Sequence, residues 1–127
     1  MKKTIIQTKN APAPIGPYSQ AVLVGDILYT SGQIAINPIS GKLVQESIEQ
    51  ETEQVMQNIK EILNEVGMTF ENVFKTTIFL SDMKNFAKVN AVYGSYFNEE
   101  TAPARETVEV ANLPKYVNVE ISVMATK

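Results

Sequence analysis

Apolar and polar positions divide this chain into two helical and six extended stretches. From Ser47 to Val66, Ile48, Val55, Met56, Ile59, Ile62, Leu63 and Val66 fall on one helical face. Ser47 with Gln50 fits a capping box, and Gly67 fits a C-terminal stop. Phe86 to Phe97 reads as a second amphipathic helix, with Phe86, Val89, Tyr93 and Phe97 near one stripe. Short β-branched or apolar runs predict strands at Lys3–Gln7, Ala21–Val24 and Ile27–Ser31, the last two joined as a hairpin around Gly25-Asp26. Val73–Leu80 alternates poorly, as a strand buried on both faces would. Ala104–Val110 and Val117–Ala125 complete the set. In the final strand Val117, Val119, Ile121 and Val123 share one face, and Asn118, Glu120, Ser122 and Met124 the other.

The order β-β-β-α-β-α-β-β is that of an α+β sandwich with two helices. No repeat, low-complexity segment or linker interrupts it, so residues 1–127 are expected to form one domain. Two helices cover only one face of such a sheet. The other face still carries apolar side chains and needs a cover, which a second copy of the chain would supply through closed symmetry. Between the first two strands, Pro12, Pro14, Gly16 and Pro17 make a stiff loop that ends in Tyr18-Ser19-Gln20.

Composition narrows the chemistry. Hydrophobic residues make up 44% and charged residues 20%, an ordinary globular profile. A net charge of -3 argues against a broad electrostatic grip on nucleic acid. No apolar run reaches membrane-spanning length, and Met1-Lys2-Lys3-Thr4 leads into a strand, so a cytoplasmic location is expected. The chain has no Cys and no His. Thiol nucleophiles, disulfides, the usual zinc sites and Ser-His-Asp triads are therefore excluded. No phosphate-binding Gly motif appears, and no cofactor is expected. The acidic set Glu46, Glu49, Glu51 and Glu53 is expected as a solvated first turn favoured by the helix dipole.

Two charges stand where a sheet should be apolar. Arg105 lies in Pro103-Ala104-Arg105-Glu106-Thr107-Val108, and Glu120 in Val119-Glu120-Ile121. Charges inside a sheet are costly without a partner. Arginine suits a two-point grip on a carboxylate. One reading is a small-acid site with an adjacent acid/base; the other is a salt bridge within the sheet. Strand alternation puts Glu106 on the face opposite Arg105.

Gly16-Pro17-Tyr18-Ser19-Gln20-Ala21, Ser31-Gly32-Gln33-Ile34, Asn37-Pro38 with Gly41-Lys42-Leu43-Val44, Pro103-Ala104-Arg105, and Leu113-Pro114 with Val119-Glu120-Ile121 occur in this order. In these segments, and along essentially its whole length, the chain resembles the RidA (reactive intermediate deaminase A, YjgF-type) family. The resemblance implies a chorismate-mutase-like fold, a mixed sheet of about six strands with two helices on one face. It also implies a homotrimer around a central β-barrel with sites at subunit interfaces. It implies cofactor-free hydrolysis of 2-imino and 2-aminoacrylate acids to 2-keto acids and ammonia. By position, Arg105 would hold the substrate carboxylate and Glu120 would position the attacking water. Tyr18, Ser31 and the backbone of Gly32 would line the pocket, with Asn90 and Thr107 as further contacts. Many members carry Cys where this chain has Thr107, so only hydroxyl chemistry is expected there. The resemblance also admits a small-acid-sensing regulator of purine or amino-acid metabolism, with a protein partner. It further admits a ribonuclease or translation inhibitor, against which the missing His and the acidic balance weigh.

Overall fold

The structure, a computed structural model, describes residues 2–127. Six strands, β1 (Lys3–Ile6), β2 (Ala21–Val24), β3 (Ile27–Thr30), β4 (Val73–Leu80), β5 (Ala104–Glu109) and β6 (Val119–Thr126), form one sheet in the order β1-β2-β3-β6-β4-β5. All neighbours are antiparallel except β4 and β5, which run parallel. Helix α2 (Phe86–Gly94) makes the crossover that a parallel pair requires. Helix α1 (Ile48–Glu65) connects β3 to β4, and β6 inserts between those two strands. The α+β mixed sheet with two helices is the architecture expected from the chain pattern.

The core lies between the helices and one sheet face. Val55, Met56, Ile59, Ile62 and Leu63 of α1 are fully buried, as are Leu28, Leu80, Val119, Ile121 and Ala125 of the strands. The other face has no helix. It presents Ile5, Val22, Val24, Tyr29, Phe79, Val108 and Met124 half-buried or exposed. The uncovered apolar face inferred from the helix count is therefore present in the single chain.

Four local expectations are corrected. The poor alternation of β4 comes from a bulge: Val73 faces Ala125 while Lys75 faces Met124, so Phe74 is extra. Beyond it Thr76, Ile78 and Leu80 are buried, and Thr77 and Phe79 turn to the open face. Helix α2 stops at Gly94, not Phe97, because Ser95, Tyr96 and Phe97 donate to carbonyls three residues back and tighten the last turn. Tyr96 and Phe97 still pack on Phe70, with ring centroids 5.0 and 5.4 Å away. The last strand starts at Val119, not Val117, because Lys115 and Tyr116 turn into the left-handed region and the Asn118 N–H bonds to Glu51. Glu51 is not solvated: it is fully buried, whereas Glu46, Glu49 and Glu53 are exposed. At the start of α1, Ser47 accepts from the Gln50 N–H at 3.0 Å, which is one half of a capping box. No helix among the described residues is long and apolar enough to cross a membrane.

Candidate functional site

Four of the seven candidate residues line one cleft of about 690 Å³: Tyr18, Ser31, Gly32 and Glu120, with Pro114 and Lys115 on the rim. The local chain path explains why. After β3, the Thr30 hydroxyl takes over the pairing with β6, accepting from the Val123 N–H at 3.0 Å. Backbone pairing resumes where Gln33 bridges Ile121. Ser31 and Gly32 are looped out between these two contacts, beside Glu120. A Cβ at Gly32 would lie 2.6 Å from Glu120 Cδ and 2.7 Å from Oε2. Glycine is required there to let the carboxylate lie against the backbone.

Glu120 is half-buried, and its carboxylate makes no ion pair or hydrogen bond among the described residues. Burial pushes its carboxyl above the ordinary carboxylate value. Such a group is a better proton acceptor than a solvated carboxylate. The Ser31 hydroxyl donates to the Ser19 carbonyl at 2.5 Å, leaving its lone pairs for a ligand. Tyr18 accepts from the Ile15 N–H at 3.2 Å, and its own O–H remains uncommitted.

The other three candidates lie on the helix side of the sheet. Arg105 pairs in register with Thr76, whose side chain is buried under α2. Arg105 Nη1 donates to Asn90 Oδ1 at 2.6 Å. The guanidinium lies 5.6 Å from the Phe86 ring centroid and 5.2 Å from that of Tyr93. Asn90 thus braces the fork, and the two rings hold it by cation–π contact. Burial raises the Tyr93 hydroxyl, partly offset by its bond to Thr76 and the nearby guanidinium. Thr107 lies two residues along the same face, with its Oγ1 buried and without a partner among the described residues.

Arg105 and Glu120 therefore face opposite sides of the sheet. Glu120 is opposite Phe79 on the open face, whereas Arg105 follows the Thr76 side. A salt bridge between them within the sheet is ruled out in one chain, and so is one site containing both. Glu106 lies on the open face, where Lys75 and Thr77 hold it at 2.6 and 3.1 Å. Lys75 keeps its carboxyl below the ordinary value. The alternation argument that removed Glu106 from the Arg105 side holds.

The family described as endoribonuclease L-PSP matches residues 8–127. A RutC family protein of Synechocystis is 52% identical over 98% of this chain and 97% of its own. The crystal structure of a Rid-family protein of unknown function from Yersinia pestis superposes with a TM-score of 0.96. It is 50% identical and covers 99% of this chain and 100% of its own. The chain belongs to the RidA (YjgF-type) family. Another relative, the chloroplastic Reactive Intermediate Deaminase A of Arabidopsis thaliana, is 44% identical over 99% of this chain and 67% of its own length.

In this RidA-family chain, the bracing roles of Gln20, which the sequence placed at the loop exit, and of Asn58 escaped the pattern reading. Gln20 is buried and donates to the carbonyls of Thr8, Ala11 and Pro12, and it accepts from the Thr8 N–H, which fastens the Pro-rich loop. Asn58 donates to the carbonyls of Ile34 and Ile36 at 3.1 and 3.0 Å. A signal existed for the second: Glu51, Val55, Asn58 and Ile62 follow helical spacing, so two polar residues sit within the apolar stripe.

Proposed function

We propose that this RidA-family protein hydrolyses 2-imino acids to 2-keto acids and ammonia, in the cytoplasm, at sites shared between copies of the chain. The observation that carries this reading is the split of complementary chemistry: a braced guanidinium on one face and a desolvated, unpaired carboxylate on the other. A homotrimer that covers the open sheet face would bring Arg105 of one copy to the Glu120 cleft of the next.

The reaction needs little more. A charge-assisted grip on the substrate carboxylate by Arg105 contributes roughly 1.5–3 kcal/mol. The iminium carbon is already electrophilic. Glu120 takes a proton from water as its oxygen bonds to C2, and the C=N π electrons move onto nitrogen. The protonated Glu120 returns that proton to the amine. As the C–N bond breaks, its electron pair leaves with ammonia, Glu120 takes the hydroxyl proton as C=O forms, and that proton passes to the ammonia, giving the keto acid and ammonium. A positioned base of this kind contributes on the order of 10²–10⁴-fold. The nuclease in the family description is less well supported, because the chain has no His and a net charge of -3.

The test is a coupled assay. A threonine dehydratase generates 2-iminobutyrate, semicarbazide competes for it, and 2-ketobutyrate is read with the wild type, with Arg105→Ala and with Glu120→Ala. The wild type is expected to accelerate the reaction and each variant to fail. Re-assembly of an equal mixture of the two variants should restore about one quarter of the wild-type sites, since each needs an intact Arg105 and an intact Glu120 from different chains. Absence of acceleration by assembled wild type would overturn the activity; binding of 2-ketobutyrate without turnover would then favour the small-acid sensor. Inactive mixtures of well-folded variants would overturn the shared site.

A further inference from the structure

Glu51 is the one charged side chain that is fully buried among the described residues. Among the described residues it has no cation partner, and the one ion pair there is Lys75–Glu106. Both of its oxygens are taken by a single residue. The Asn118 N–H donates to Oε2 at 2.8 Å, and Asn118 Nδ2 donates to Oε1 at 2.8 Å. Asn118 is also tied to the end of β4: its carbonyl accepts from the Ser81 N–H at 3.1 Å, and its Oδ1 from Ser81 Oγ at 3.4 Å.

This clamp closes an unusual loop. Lys115 and Tyr116 have φ values of 56° and 55°, and neither is glycine. Consecutive left-handed residues persist only where the surroundings hold them. Leu113 and Val117 anchor the loop by burial, while Pro114 and Lys115 form the rim of the Glu120 cleft. Glu120 follows Asn118 by two residues, so whatever fixes Asn118 fixes where that side chain leaves the backbone. A buried carboxylate without a cation is an expensive way merely to fill a core.

We propose that Glu51 is a positioning residue: by clamping Asn118 it holds the 113–118 loop and sets the place of Glu120 in the cleft. The catalytic side of this inference rests on the reading of Glu120 as the water-positioning carboxylate. The titratable groups that share the cleft with Glu120 are Tyr18 and Lys115.

The experiment follows Glu120 in two ways, by the pH profile of kcat/KM for 2-iminobutyrate and by ¹³C NMR titration of its carboxyl, in the full-length oligomer. Glu51→Ala should lower kcat/KM by about 10- to 100-fold, as small displacements of reacting groups do. It should also move the acid limb, and the NMR titration, to lower pH as water reaches Glu120. Glu51→Gln should stay within about twofold with both readouts unmoved, because the Asn118 amide can turn over and keep both bonds. If Glu51→Ala fails to fold, Asn118→Ala, which removes one leg of the clamp, carries the test with a smaller shift in the same direction. A loss of active fraction alone would scale the profile without shifting it, and that result overturns the inference, as does an unmoved NMR titration in Glu51→Ala or Asn118→Ala. An inactive wild type overturns the deaminase reading instead, and the NMR titration still decides the positioning role.

Discussion

Replacing Gly32 with alanine tests the candidate carboxylate without touching it. The new Cβ would lie 2.6 Å from Glu120 Cδ, 2.7 Å from Oε2 and 2.9 Å from Cγ. Ordinary carbon contacts are about 3.5–4.0 Å, so the carboxylate must retreat by about 1 Å. Gly32 does not occupy the left-handed region, so alanine adds no backbone strain, and any change comes from the moved carboxylate. A displacement of that size at a reacting group costs roughly 100-fold, equivalent to about 2.7 kcal/mol of transition-state stabilisation. In the proposed mechanism Arg105, not Glu120, holds the substrate carboxylate, so the loss should fall on kcat with KM little changed. Stability should hold, since Glu120 is only half-buried and can swing outward. The coupled imine assay reads kcat, and a urea titration reads stability. Gly32→Ala with kcat within threefold of wild type would refute the reasoning, because the carboxylate cannot both retain its place and admit the methyl group.

Arg105→Lys keeps the charge but loses the fork held by Asn90 and the stacking on Phe86 and Tyr93; KM should rise about 10- to 100-fold with the fold unchanged by circular dichroism. Glu120→Gln should abolish imine hydrolysis yet stabilise the protein at neutral pH. Because burial raises the folded-state value of Glu120, the folded state binds the proton more tightly, and wild-type stability falls as pH rises from the ordinary carboxylate range through that raised value. Denaturant midpoints across this window should fall for wild type and lie flatter for Glu120→Gln. Thr107→Val removes a buried hydroxyl with no partner among the described residues and should stabilise the protein by about 1–3 kcal/mol in denaturant titration; no gain would mean that the hydroxyl finds a partner across the proposed interface. Met124→Glu puts a charge on the open face opposite Tyr29 and should leave a folded monomer in sedimentation, with assembly and activity lost together.

The helices and strands were legible because their apolar periods are long and their caps are local. Ser47 and Gly67 frame α1 as their residue types require. What periodicity missed depends on contacts made far along the chain. The bulge at Phe74 is a matter of β4 against β6, and the late start of β6 depends on Glu51, 67 residues before Asn118. Arg105 and Glu120, the two charges on which the candidate site rests, stood out as charges inside strands. Their placement on opposite faces was legible only in part. Alternation places Glu106 opposite Arg105, but it says nothing of how β5 and β6 align when β4 lies between them. That alignment comes from the registers Thr76–Arg105 and Phe79–Glu120.

The separation of these two charges has a chemical consequence. If Arg105 and Glu120 shared one face, their attraction would favour a salt bridge, which lowers the carboxyl pKa and occupies the guanidinium. Each group would then be spent on the other. In this chain neither is spent. Arg105 is oriented by a neutral amide and two aromatic rings, and Glu120 is raised by burial rather than lowered by a cation. Under the proposed assembly, an iminium acid would enter between them, its carboxylate meeting the fork and its cationic imine end nearer the base. Such a substrate would supply the counter-charges that one chain withholds, so the charge pattern that looks unpaired in a single copy is the pattern a zwitterionic iminium acid would complete.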